Sequence, residues 1–325
     1  MLIIDWVSTN YHELFNRAFF NAAGIDSYKF ASFSPLLNSI ADKGDTIRLN
    51  RGGRISNFIE VMKLCWEFRK KPILFLTYDS FLVPFISIFC PFLILFEHNT
   101  TPEHRLKSKH AIWQWLCFRR VIRCTQYLQQ LDILKTIGQK ALYGGSPINM
   151  SLPKALCPDG GFIYVAGRKL KLSEAEKLHK RFPGNRLLVR KNSLQDGERN
   201  DIPQYIELHD EAWVEQYDIL NKVSAIYINF ESPIRGSGWY NDSIGYNIPV
   251  IFNSPNVVDI YRSTFQGFPY IYLGADTNEQ SLTEILDQLR SDKIRLLTID
   301  HNRKFSERVR KCINLSFRGK ATISS

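Results

Sequence analysis

No Cys-x-x-Cys pair occurs in the chain, and none of its six cysteines (65, 90, 117, 124, 157 and 312) stands at zinc-like spacing from a histidine. That excludes a disulfide-stapled scaffold and a zinc module, and the expectation is reduced thiols in a cytoplasmic protein. Also missing are a Gly-x4-Gly-Lys-Ser/Thr phosphate loop, His-Glu-x-x-His, Gly-x-Ser-x-Gly and Asp-x-Asp. Their absence excludes a P-loop nucleotidase, a zinc protease, a nucleophile-elbow hydrolase and an acidic pair that holds a metal–diphosphate. Where a dinucleotide-binding domain carries Gly-x-Gly-x-x-Gly after its first strand, this chain has Ser8, Thr9, Asn10 and Tyr11, which disfavours NAD chemistry. Long apolar runs are lacking too. Phe81–Phe96 is uncharged but contains Pro84 and Pro91, and it falls short of the roughly 20 residues of a spanning helix. The N-terminus has no basic n-region, so Leu2–Val7 reads as a first strand rather than a signal peptide. No solenoid repeat or low-complexity tract is present.

What is there is ordinary globular material: 325 residues, 44% hydrophobic and 23% charged. At roughly 100–200 residues per domain, this length implies two domains, each able to bury its own core. The formal charge is +10, from 42 Lys and Arg against 32 Asp and Glu. Residues 1–150 hold 18 basic and 11 acidic side chains, and residues 151–325 hold 24 and 21. The basic excess therefore lies mostly in the first half.

Strand and helix signals alternate along the whole chain. Short apolar runs at Leu2–Val7, Ile73–Thr77, Phe92–Phe96, Val121–Cys124 and Ala141–Tyr143 read as strands, most of them buried on both faces. Helical stretches are expected near 11–22, 54–69, 80–89, 106–118 and 126–137. After a Pro-containing linker at Ser146–Gly160 the pattern restarts. Strands are expected at Gly161–Gly167, Arg186–Val189, Tyr205–Leu208, Ala225–Phe230, Pro249–Phe252 and Tyr270–Leu273. Helices are expected near 172–181, 211–222, 239–246, 255–263, 278–291 and 303–315. This pattern implies an α/β protein of two Rossmann-like domains, 1–150 and 151–325, with parallel sheets facing across a cleft.

In open parallel sheets, ligands bind at the carboxyl ends of strands, so the residues just after each strand carry the information. Gly167-Arg168-Lys169-Leu170-Lys171 follows one strand. A tight glycine turn with clustered cations suits a diphosphate, although a solvated basic loop would look the same. After the 225–230 strand, Gly236-Ser237-Gly238 opens a helix whose N–H groups attract phosphate. Asp242 lies one turn further on, where a carboxylate can accept from a ribose diol or simply favour the helix start. Glu97 and His98 end a buried strand, a place for proton transfer or sugar recognition. His209 ends another, beside Asp210, which can equally cap a helix.

These residues resemble the GT-B glycosyltransferases, in particular the retaining family that includes the glycogen synthase and sucrose-phosphate synthase-like enzymes. In that family a strand ends in Gly-Arg with a Lys soon after, matched here by Gly167, Arg168 and Lys171. A Glu-x7-Glu motif runs into Gly-x-Pro-Val-Ile. Here Asp242 takes the second carboxylate's place, and Asn247-Ile248-Pro249-Val250-Ile251 follows. Tyr78-Asp79-Ser80 through Glu97-His98 resembles the segment ending in the active-site histidine. Lys140–Pro147 resembles the end of the acceptor domain. The first glutamate is replaced by Ile234, with Glu231 or Arg235 as stand-ins, so retention or inversion stays open.

The resemblance implies transfer from a nucleotide-diphosphate sugar to a glycan or lipid-linked acceptor, in surface polysaccharide or glycoconjugate synthesis. It implies no separate cofactor and no metal. The donor would meet Arg168, Lys171, Gly236, Ser237, Gly238 and Asp242, with His209 near the base. Ser8, Thr9, Asn10 and Tyr11 would hold the acceptor, and His98 with Glu97 would face the transferred sugar. Two alternatives remain: a sugar-nucleotide epimerase of the same fold, and a non-catalytic glycan- or nucleotide-binding subunit.

The stretch Arg105–Arg120 mixes cations with Trp113, Trp115 and Phe118. Such a helix can lie on an anionic membrane surface, so peripheral contact with the inner face of the membrane is expected. Without a recognised nucleic-acid module or a continuous basic run, nucleic acid is not expected as a partner.

Overall fold

The computed structural model describes residues 1–6, 13–25, 27–33, 45–50, 52–97, 121–167, 170–194, 202–209, 220–229, 238–274 and 280–318. The chain divides into two compact units, Met1–Pro147 with Asn302–Ser325, and Ile148–His301.

The first unit is built on a parallel sheet of seven strands: β1 (Leu2–Asp5), β2 (Lys29–Ser32), β3 (Asp45–Arg48), β4 (Ile73–Thr77), β5 (Leu93–Glu97), β6 (Ile122–Thr125) and β7 (Ala141–Tyr143). Their order is β3-β2-β1-β4-β5-β6-β7. Alternate side chains of each central strand point to opposite faces. Leu2, Ile4, Ile73, Phe75, Leu93 and Leu95 pack on one face with Val61 and Cys65 of α2 (Arg54–Glu67) and Val83 and Ile86 of α3 (Val83–Ile86). Ile3, Leu74, Leu76, Ile94 and Phe96 pack on the other, against Phe19 of α1 (Glu13–Ala23) and Phe305, Val309 and Cys312. The last three residues lie on α9 (Asp292–Arg318), which therefore returns to the first unit. Helix α4 (Leu128–Thr136) links β6 to β7.

The second unit holds a six-stranded parallel sheet: β8 (Phe162–Gly167), β9 (Arg186–Arg190), β10 (Ile206–His209), β11 (Val223–Asn229), β12 (Val250–Phe252) and β13 (Ile271–Tyr272), in the order β10-β9-β8-β11-β12-β13. Its helices are α5 (Leu172–Arg181), α6 (Trp239–Tyr246), α7 (Pro255–Thr264) and α8 (Leu282–Arg290). Both sheets reverse strand order beside their first strand, between β1 and β4 and between β8 and β11. Crevices for ligands form at such positions.

The α/β class and the parallel sheets agree with the sequence expectations. Two strands, β2 and β3, are additional. β3 is Asp-Thr-Ile-Arg at a sheet edge, largely exposed, so it carries no apolar run to announce it. The helix expected near 303–315 begins at Asp292 and is 27 residues long. The helix expected at 106–118 and most of that at 211–222 lie outside the described residues. Among the described residues no helix is long and apolar enough to cross a membrane.

Candidate functional site

At the strand-order reversal of the second sheet, the last residue of β8, Gly167, pairs in register with Asn229 at the end of β11. A Cβ at position 167 would run into the backbone carbonyl of Asn229. Glycine is therefore required by close approach at the end of β8. Lys171 precedes α5, and its carbonyl accepts from the Glu174 and Ala175 amides at 3.1 and 3.0 Å. Its side chain is exposed at the carboxyl edge of the sheet.

In the first turn of α5, the Glu174 carboxylate gathers three donors from two other segments. Tyr227 Oη donates to Oε1 at 2.5 Å and Asn229 Nδ2 donates to Oε2 at 3.1 Å. Asn253, just after β12, also donates through Nδ2 to Oε1. A carboxylate can only accept, so the Asn253 amide is oriented by Glu174. Its Oδ1 is buried without a partner among the described residues. The first turn of α5 thus already holds its own anion. The sequence reading missed this network, whose members lie 53 to 79 positions from Glu174.

Asp242 sits in the first turn of α6, a helix buried along its whole length. The residue is 9% exposed, and no described residue donates to its carboxylate or neutralises it. Burial alone pushes its pKa up to about 7, because the charged form loses water without gaining a partner. Helix α6 ends at Asn247, whose left-handed backbone (φ 59°) replaces the glycine common at helix ends. Lys154 Nζ donates to the carbonyl of Gly245 at 2.8 Å and to Asn247 Oδ1 at 3.2 Å, closing that end. His209, at the end of β10, is buried with its ring centroid 5.6 Å from that of Tyr164, and Tyr164 packs against Trp239. Gly238 precedes α6.

In the first unit, Glu97 ends β5 and is 2% exposed. Its Oε1 accepts from Arg123 Nε at 2.6 Å and from Tyr78 Oη at 2.5 Å, and Arg123 Nη2 donates to Tyr78 Oη at 3.0 Å. The guanidinium is fully buried on β6. A carboxylate neutralised and enclosed in this way does not fit the proton transfer expected of Glu97 from the sequence. It fixes the strand end from which His98 follows. At the strand-order reversal of the first sheet, the buried Asp5 accepts from Asn16 Nδ2 at 2.7 Å and from Thr77 Oγ1. Ser8, Thr9, Asn10, Tyr11, His98, Arg168, Gly236 and Ser237 lie outside the described residues.

The chain matches no family model and no curated protein. Among solved structures it is similar to Anabaena HepE in complex with UDP and glucose, at 10% identity over 99% of both chains with a TM-score of 0.60. HepE in complex with UDP-glucose gives 14% identity, 99% and 98% coverage and a TM-score of 0.56. A glycosyltransferase from Rickettsia africae gives 12%, 99% and 97% coverage, and 0.51. The fold is that of the GT-B glycosyltransferases, shared from end to end.

Proposed function

We propose that this chain is a glycosyltransferase that moves a sugar from a nucleotide-diphosphate donor to a hydroxyl of a glycan or lipid-linked acceptor, without a bound metal. The observation that carries the reading is Asp242. A buried carboxylate without a partner among the described residues is costly, and a ribose diol supplies two donors to it. The UDP and UDP-glucose held by HepE favour a uridine nucleotide.

Because Glu174 already occupies the start of α5, the diphosphate is assigned to Gly236, Ser237 and Gly238, ahead of α6. Arg168 and Lys171 neutralise it. Asn253 Oδ1 offers an acceptor to an O–H or N–H of the donor, and His209 neighbours the base. Ser8 to Tyr11 hold the acceptor. Its hydroxyl oxygen attacks the anomeric carbon, the bond from that carbon to the phosphate oxygen breaks, and the nucleoside diphosphate leaves with the electron pair and takes up the proton that the acceptor hydroxyl releases. Negative charge develops on the diphosphate, and the fixed cations stabilise it there. His98 faces the transferred sugar, and Glu97 acts as a positioning residue through Arg123 and Tyr78.

A thermal-shift panel of UDP, GDP, ADP, CMP and TDP sugars tests the reading, since a bound donor raises the melting temperature, and by more the more tightly it binds. A uridine-linked sugar is expected to stabilise the protein. Arg168→Ala is expected to abolish that shift and donor turnover while leaving the unliganded melting temperature unchanged. A flat panel, or wild-type turnover by the variant, overturns the assignment. Product analysis separates transfer from epimerisation.

A further inference from the structure

The outer face of α2 and of the helical turns around α3 is unusually apolar. Ile55, Ile59 and Trp66 are 72%, 42% and 54% exposed, and Phe81, Phe85 and Ile88 are 39%, 43% and 56% exposed. Among the described residues these are all the exposed large apolar side chains of the first unit. Positions 55, 59 and 66 fall on one helical stripe, as do 81, 85 and 88. The two stripes run side by side. At one end Arg54 pairs with Asp79 at 2.6 Å and lies 5.8 Å from the Phe81 ring. At the other, the Trp66 and Phe89 rings are 5.5 Å apart. The inner sides of both segments are used in the core, through Val61, Cys65, Val83 and Ile86, so packing does not account for the outer ones.

Charge borders this face and enters its α2 stripe at Lys63, four residues after Ile59 and three before Trp66. No charged residue occurs between Asp79 and Glu97. Lys63, Lys70 and Lys71 are exposed on α2 and just beyond its end, and the Arg69 guanidinium lies 4.4 Å from the Trp66 ring. The whole first unit carries 25 Lys and Arg against 12 Asp and Glu, a net +13, whereas the second carries 17 against 20, a net −3. The excess cannot be a general solubility device, because one unit has all of it.

We propose that this face docks on an anionic lipid bilayer. The six apolar side chains enter the interface, with Trp66, Phe81 and Phe85 at headgroup depth, and the flanking cations meet the lipid phosphates. An apolar surface of this kind on a soluble fold marks a partner, and its basic surround selects an anionic one. The contact lies on α2 and α3, elsewhere in the chain from the basic aromatic stretch at 105–120. It is independent of the donor site, so nucleotide binding and lipid binding can fail separately.

Flotation of the full chain with phosphatidylglycerol-containing vesicles, and with pure phosphatidylcholine vesicles as the neutral arm, tests this. Wild type is expected to float with the anionic vesicles at low salt and less as salt screens the cations. Phe85→Ser with Ile88→Ser is expected to lower partitioning at least about tenfold with an unchanged melting temperature, since both residues are exposed. Lys70→Glu with Lys71→Glu is expected to weaken binding and flatten its salt dependence. Wild type that stays with the unbound fraction, or an apolar variant that floats as well as wild type, overturns the proposal. So does a wild-type dimer in sedimentation equilibrium that the apolar variant converts to monomer, because the face would then belong to a second copy.

Discussion

In the first unit the carboxylate of Glu97 lies against the buried guanidinium of Arg123 and the hydroxyl of Tyr78. In the second, Asp242 is also buried, and its carboxylate meets no described cation or donor. The two units share a strand order, and both place carboxylates at or near the carboxyl edge of the sheet. One has its charge met from within the unit, and the other has no described group to meet it. The difference separates a residue that holds the fold from the one proposed here to take the ribose, although both are buried acids near strand ends.

Breaking the satisfied pair should have the largest effect. Arg123→Ala leaves the buried Glu97 without its cation, and is expected to cost about 3–5 kcal/mol of stability. Urea unfolding reads this directly, and Glu97→Gln in the same chain should recover part of the loss. An Arg123→Ala protein as stable as wild type would mean that the pair is not the strand-end lock described above.

Removing the unsatisfied charge should act in the opposite sense. Asp242 has a folded pKa of about 7, above the unfolded value of about 3.9. Between those pH values the folded state binds a proton that the unfolded state has released, so stability declines as pH rises through this window. The cost is fully present above pH 7 and absent below about pH 4. Asp242→Asn is therefore expected to stabilise the unliganded protein at pH 8, by up to roughly 4 kcal/mol, and to change little at pH 4. Equal stability at both pH values would remove the asymmetry between the units.

Smaller effects sharpen the same contrast. Gly167→Ala drives a Cβ into the Asn229 backbone, and overpacking of this sort costs about 1–3 kcal/mol. In the first unit, Gly53 before α2 has open space around its Cβ direction, so Gly53→Ala meets no clash and should cost about 0.5–1 kcal/mol, from the poorer N-cap that alanine makes. Comparable losses at the two glycines would show that close approach at the β8–β11 crevice is not special.

Much of this was legible in the chain itself. β1, β4, β5, β8 and β11 announce themselves as apolar runs because they are buried on both faces. The crevice residues Gly167 and Asp242 could be found because each follows a strand closely. β2 and β3 could not, since short strands towards a sheet edge with Lys, Asp and Arg in them have no pattern distinguishable from a loop. The Glu174 network was equally hidden, because its donors come from β11 and from beyond β12, and only the strand order brings them together. Arg123 did offer a signal that went unused. A cation inside the apolar run 121–124 demands a buried partner, and the neighbouring strand ends in Glu97.

The central claim is that Asp242 is the second unit's unfilled acceptor and that a nucleotide sugar fills it. Titration calorimetry of UDP-glucose binding across pH 5.5–8.5, in wild type and in Asp242→Asn, tests it most directly. Only the ionised carboxylate accepts both ribose hydroxyls, so wild-type affinity is expected to fall below pH 7, approaching about tenfold per pH unit. The Asn variant should bind more weakly at pH 8 and show no such dependence. Affinity independent of pH in wild type, or an Asn variant that binds as tightly as wild type at pH 8, would contradict the account.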